Sequence, residues 1–228
     1  MSGTTLSHEW LAVDAETCAD RLIGTTLVRT LPDGMRISGI IVETEAYCGV
    51  EDRAAHTFGG RRTPRNDSMY RRAGTAYVYF TYGMHFCMNV VCGEEGVGVA
   101  ALIRALEPLE GFDAMRAHRA GKRSSDSLRD RDLCSGPAKL CAAMAIDRSF
   151  NGVDLLAPGS PLALEFDEQV AQRVRARGVL RTPRIGIASA GEPWVSAPLR
   201  FIAGGNPFLS RPTPVTPRVV NPKRPTRR

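Results

Sequence analysis

The stretch "MRISGIIVETEAY", residues 35–47, decides the fold. Its β-branched residues mark a strand, and "LPDG" at 31–34 is the turn that joins it to an earlier strand near Leu27. Side chains alternate faces along a strand, so Ile41, Glu43, Glu45 and Tyr47 share one side while Val42, Thr44 and Ala46 share the other. Two carboxylates about 7 Å apart at strand spacing, beside aromatic and apolar neighbours, resist joint ionisation. One of them then gains a raised pKa and becomes a candidate general base. A solvated strand end is the competing reading of the same residues.

Outward from this strand, "DAETCADRLIGTTLVRT" (14–30) opens with an acidic, cappable stretch and turns β-branched, which predicts a short helix and then a strand. "GTAYVYFTYGMHFCMNVVCG" (74–93) carries two β-rich runs around Gly83, a hairpin with its tip at Tyr82 to His85. "VGVAALIRAL" (97–106) is a further apolar run, and "EPLEGFDAMRAHRA" (107–120) opens a helix with acids first and bases last. "DLCSGPAKLCAAMAI" (132–146) is a second helix, with Ser135 as its cap and Pro137 in its first turn. "PRIGIASAG" (183–191) and "PLRFIAGG" (198–205) read as two short closing strands. Strands fall early and late with helices between, without regular alternation, which gives an α+β class with a largely antiparallel sheet.

The chain has 228 residues, a length that favours one domain, and 43% hydrophobic with 24% charged residues excludes a mostly disordered chain. The expected division is a folded body over 1–211 and a disordered, Pro-rich basic tail over 212–228. That tail holds five of the six net positive charges, so the body carries only +1 and overall charge does not identify a partner. Local clustering does: "RAAHTFGGRRTPRNDSMYRR" (53–72) holds six arginines against one aspartate in a stretch whose Gly, Pro and Asn content marks a loop. Four of the five tyrosines, Tyr70, Tyr77, Tyr79 and Tyr82, follow closely. Cations for phosphates and rings for bases are what unstacked nucleotides require, although aromatic side chains on strands are also ordinary core material.

No apolar run is long enough to cross a membrane and no export signal opens the chain, so an intracellular protein with its six cysteines reduced is expected. No cysteine pair has the two-residue spacing of a zinc site, His56, His85 and His118 have no regular spacing, and neither a phosphate loop nor a dinucleotide fingerprint occurs. Neither metal nor cofactor is expected.

Four ordered blocks, "VETEAYCGVEDRAAHTFGGRRTPRN", "GTAYVYFTYGMHFCMN", "RALEPLEG" and "DLCSGPAKLCAAMAI", resemble the alkyladenine (3-methyladenine) DNA glycosylase family over about residues 22–208. The resemblance implies a single α+β domain with a curved, mainly antiparallel sheet, flanking helices and a protruding β-hairpin. It implies a monofunctional, monomeric base-excision-repair enzyme, associated with DNA, that flips a damaged purine from the duplex and hydrolyses its N-glycosidic bond. Glu45 matches the general base and Arg104 the arginine that positions the attacking water. Tyr47, His56 and Tyr79 match the residues that sandwich the flipped base, with Asn89, Tyr77 and Leu102 completing the pocket. Tyr82, with Met84 and His85 beside it, matches the intercalating tip. Arg61, Arg62, Thr63, Arg65 and Lys139 match contacts to the DNA backbone. Two other classes fit the residues less fully: a module that binds distorted DNA without chemistry, and a hydrolase of free nucleosides. Glu45 separates the first from the enzyme, and dependence on a duplex separates the second.

Overall fold

The computed structural model describes residues 6–120 and 128–211; the expectation for the tail lies outside them. The chain begins with α1 (His8–Leu11) and α2 (Ala15–Leu22). Asp14 caps α2 by accepting from the Thr17 amide at 2.9 Å, and Ala15, Cys18, Ala19 and Leu22 form a buried stripe at i, i+3, i+4 and i+7. This stripe lies on the sheet, where the Thr44 hydroxyl donates to the Ala19 carbonyl at 2.7 Å.

Eight strands form one sheet: β1 (Thr26–Thr30), β2 (Arg36–Tyr47), β3 (Ala76–Thr81), β4 (His85–Cys92), β5 (Val99–Glu110), β6 (Leu162–Glu165), β7 (Val179–Thr182) and β8 (Arg200–Ala203). The order is β3-β4-β5-β2-β1-β6, and β8 joins β2 to β7. Every pairing is antiparallel. The first half of β2 pairs with β1 and residues 43–45 pair with β8, while β5 runs along the opposite edge with irregularities on both sides of Glu43. Such bulges bend a strand and increase its twist, and the sheet curls into a half-barrel here. The α+β class and single domain expected from the sequence are what the chain adopts.

The helices α3 (Phe112–Ala120), α4 (Asp130–Leu133), α5 (Pro137–Ala143) and α6 (Glu168–Arg175) flank the sheet. Three local expectations are corrected. "EPLE" does not open a helix, because its backbone stays paired to Ser38–Ile40 and prolongs β5 to Glu110; α3 starts only after Gly111, at φ 78°. Ser135 is not a helix cap: it bridges to Ala105, and Gly136 precedes Pro137, which does stand in the first turn. "PRIGIASAG" is not a strand but a loop ending in a short 3-10 turn at Ala188–Ala190, and its side-chain anchors proved more important than its propensity. The hairpin is where expected. Tyr82 and Gly83 both take positive φ, 50° and 68°, and Met84 N–H closes the turn on the Thr81 carbonyl at 3.3 Å. Two such central residues form the mirror-image turn that suits strand twist.

Candidate active site

Strand β2 delivers Glu43 and Glu45 to one side of the sheet, where Arg104 from β5 reaches both. Its Nε donates to Glu43 Oε1 at 3.1 Å and its Nη1 to Glu45 Oε2 at 3.2 Å. Glu43 also accepts from Arg200 Nε (2.7 Å), the Ser210 amide (2.6 Å) and the Ser210 hydroxyl (2.7 Å). Glu45 accepts from the Tyr47 hydroxyl (3.1 Å) and the Ile185 amide (2.7 Å). Both carboxylates have 0% exposure, so the solvated strand end is excluded.

Their surroundings separate them. For Glu43, burial raises the pKa but is outweighed by the charge and hydrogen bonds of Arg200 and by Ser210, which leave it below the ordinary value. For Glu45, burial dominates and the opposing help of Arg104, Ile185 and Tyr47 does not cancel it, so its pKa is raised. A pair whose surroundings push its members apart in this way suits two different tasks, with Glu43 the better-held anion and Glu45 the candidate proton acceptor.

An aromatic cleft of about 190 Å³ lies in front, lined by Tyr47, His56, Tyr77, Tyr79, Tyr82 and Asn89 among others. The rings of Tyr77 and Tyr79 stack at 5.4 Å and 27°, and His56 stands edge-on to Tyr79 at 4.6 Å and 82°. The Tyr77 hydroxyl and His56 Nδ1 are 2.7 Å apart, and burial pushes the phenol up to about 12. His56 keeps its outer edge exposed, yet partial desolvation and the charges of Arg65 and Arg61 lower its pKa, which favours a neutral ring. Asn89 commits its amide nitrogen to the Tyr77 carbonyl at 3.0 Å. Leu102 is a buried residue of β5, paired across to both Glu45 and Asn89. Glu45 itself is not in the cleft wall. Tyr47, which touches it, is, and so are Gly186 and Ile187 beside the Ile185 amide.

The remaining predicted residues occupy the rim. Tyr82 at 83% and Met84 at 70% exposure form the projecting tip, and His85 begins β4 beside them. In the arginine loop, Arg65 donates to the Phe80 carbonyl at 3.0 Å and lies 5.7 Å from the Tyr79 ring, which ties the loop to the hairpin. Arg62 pairs with Asp67 at 2.9 Å, the Thr63 amide donates to Asn66 at 2.7 Å, and Arg61 is exposed. Lys139 stands apart on α5, with Nζ 3.3 Å from Ser135 Oγ.

Four supporting residues were not anticipated from the sequence. Arg184 and Asp52 form a fully buried pair beneath Tyr47, with the guanidinium 4.8 Å from its ring. Arg200 and Ser210 fasten Glu43. Arg200 had a visible signal, a cation within the apolar run "PLRFIA", much as Arg104 interrupts "ALIRAL". Among the described residues no His, Cys, Asp and Glu cluster could hold a metal, and no helix is long and apolar enough to cross a membrane.

Comparison with known proteins identifies relatives of the chain. A family model described as methylpurine-DNA glycosylase matches residues 9–207. DNA-3-methyladenine glycosylase of Mus musculus is 48% identical over 208 residues, covering 90% of this chain and 61% of the mouse protein. That of Homo sapiens is 46% identical over 210 residues, covering 91% of this chain and 68% of the human one. A Clostridium acetobutylicum relative is 47% identical over 211 residues, 90% of this chain and 97% of its own length. The chain thus spans about three fifths to two thirds of the mammalian relatives and nearly all of the bacterial one. With the match running from α1 through the loop that follows β8, and so across the carboxylate pair, the aromatic cleft and the arginine loop, the chain belongs to the methylpurine-DNA glycosylase family.

Proposed function

We propose that this protein acts in base-excision repair as a monofunctional DNA glycosylase. It takes alkylated or deaminated purines, 3-methyladenine, 7-methylguanine, hypoxanthine and ethenoadenine, from duplex DNA as a monomer and leaves an abasic site. The observation that carries this reading is Glu45, a buried carboxylate with a raised pKa, bonded to Arg104 and Tyr47 directly behind a stacked aromatic cleft.

In this reading Tyr82 enters the duplex and fills the space that the extruded nucleotide leaves. The base stacks among Tyr47, His56 and Tyr79, a contribution of about 1–3 kcal/mol per base that offsets the few kcal/mol of unstacking. Asn89 in the cleft wall crowds the exocyclic amino group of normal guanine. Arg61, Arg62, Thr63, Arg65 and Lys139 hold the phosphates. Water then adds to C1′ of the sugar, the purine departs with the electrons of the glycosidic bond, and the water's proton passes to Glu45. Arg104 orients that water.

A carboxylate offers about four acceptor positions. Arg104 and Tyr47 occupy Oε2, while Oε1 takes only the Ile185 amide and keeps one position for the water. With Glu45 at 0% exposure, entry of that water requires the Ile185–Ile187 segment or Tyr47 to give way when the nucleotide enters. This closure is also the one feature that favours the alternative, a damage-binding module without chemistry.

Both readings face the same experiment: base release from duplexes each carrying one lesion, with wild type and Glu45→Gln compared and binding followed in parallel. Loss of release by about 10²–10⁴-fold with binding retained is expected for a general base. Wild-type release by the variant removes Glu45 from the mechanism. Absence of release by the wild type on all four lesions leaves the binding module.

A further inference from the structure

Beside Glu45, the carboxylate network contains a second acid whose investment in bonds exceeds what a structural anion needs. Glu43 gathers four charged or polar donors: Arg104 from β5, Arg200 from β8, and the amide and hydroxyl of Ser210 beyond β8. Arg104 splits its fork between the two glutamates, with Nε on Glu43 and Nη1 on Glu45. A planar guanidinium held at one nitrogen has its remaining donors fixed in direction. Glu43 therefore decides where Arg104 points and how much of its charge Glu45 receives. Arg200 repeats the device one step back: Nε holds Glu43, Nη1 donates to Thr182 Oγ1 at 3.1 Å, and Nη2 is buried with no partner.

We infer that Glu43 is a positioning residue for the base-release step, fixed by Arg200 and clipped by Ser210, and that it acts on the reaction through Arg104 rather than by touching DNA. The inference rests on the proposed role of Glu45. Neither Glu43 nor Ser210 lines the aromatic cleft. Their contribution belongs to the chemical step and leaves lesion binding alone. Ser210 fastens the segment that follows β8 to Glu43 through both its amide and its hydroxyl.

The groups facing the pair are Arg104 from β5, Arg200 from β8, Tyr47 on β2 and Cys87 on β4, whose thiol feels both Arg104 and Glu45. Replacing Glu43 by glutamine removes a like charge from beside Glu45 and leaves the charge of Arg104 unshared. Both changes favour the ionised Glu45, so the acid limb of the reaction moves to lower pH. A merely structural role for Glu43 lowers stability but leaves the limb in place.

The test is single-turnover base release against pH, with lesion-duplex affinity, for wild type, Glu43→Gln, Ser210→Ala, Ser210→Thr and Glu45→Gln. The expected result is a roughly tenfold or greater rate loss in Glu43→Gln, its acid limb displaced to lower pH, affinity within about twofold of wild type, and a smaller loss in Ser210→Ala that Ser210→Thr restores. A wild-type rate and limb in Glu43→Gln overturns the inference. Should Glu43→Gln not fold, a wild-type rate in Ser210→Ala overturns it instead. In either case inactivity of Glu45→Gln shows that the general base survives and only the positioning role is lost. Wild-type release by Glu45→Gln removes both.

Discussion

Arg184 and Asp52 meet through two charge-assisted bonds, Nη1 to Oδ2 at 2.5 Å and Nη2 to Oδ1 at 2.8 Å, with both side chains fully buried under the ring of Tyr47. Asp52 also accepts from the amides of Cys48 and Ala54, each at 3.0 Å, so the aspartate joins the segment after β2 to the Ile185 loop that caps Glu45. Breaking a buried pair from one side leaves the other charge uncompensated, at about 3–5 kcal/mol. Asp52→Asn is expected to lose about that much stability, measured by denaturant unfolding, and to lose base release as Tyr47 and Ile185 drift. A wild-type midpoint in the variant shows that the pair contributes nothing net.

The raised pKa of Glu45 fixes the acid side of the pH profile. A general base must be ionised, so the single-turnover rate falls as pH drops through the folded-state pKa of Glu45. Burial has moved that value up, and the limb is expected above the ordinary glutamate value of about 4.3. A rate that stays flat down to that pH is incompatible with Glu45 as the base.

Tyr82 separates function from stability. A non-glycine residue in the left-handed region is disfavoured by roughly 1–2 kcal/mol, and this side chain has little packing to offset that. Tyr82→Gly is expected to leave thermal stability equal to or slightly above wild type while weakening binding and base release on duplex substrates. Loss of stability together with activity contradicts this, since it assigns the ring a packing role.

Within the loop the arginines are not equivalent. Arg72 is bonded to Asp154 and Arg62 to Asp67, whereas Arg61 forms no ion pair among the described residues. Arg61→Ala is expected to weaken duplex binding uniformly across sequences and to reduce the slope of log K against log salt by about 1. Arg72→Ala is expected to leave that slope almost unchanged. Equal slopes for wild type and Arg61→Ala take Arg61 off the phosphates.

What could be read from the sequence follows from the range of the interactions. The alternation in "VETEAY" places both glutamates on one face because strand periodicity is local, and the hairpin around Gly83 is legible for the same reason. The end of β5 was not: "EPLEG" has helix-opening chemistry, and only its pairing to Ser38–Ile40 overrides it. Arg184 and Ser210 were missed because their partners, Asp52 and Glu43, lie more than a hundred residues away in sequence. The closure of Glu45 behind Tyr47 is likewise a product of packing, beyond any strand pattern.

Residues 43–45 are flanked on both edges, by Ala105, Ile103 and Leu102 of β5 and by Ile202, Phe201 and Arg200 of β8. Backbone held from two sides opens only when the sheet itself comes apart, so its amide protons are expected to exchange at the rate of global unfolding while those of the Tyr82–Met84 turn exchange freely. Thermal agitation short of melting will therefore disturb the projecting Tyr82–Met84 turn long before it reaches the paired carboxylates of Glu43 and Glu45.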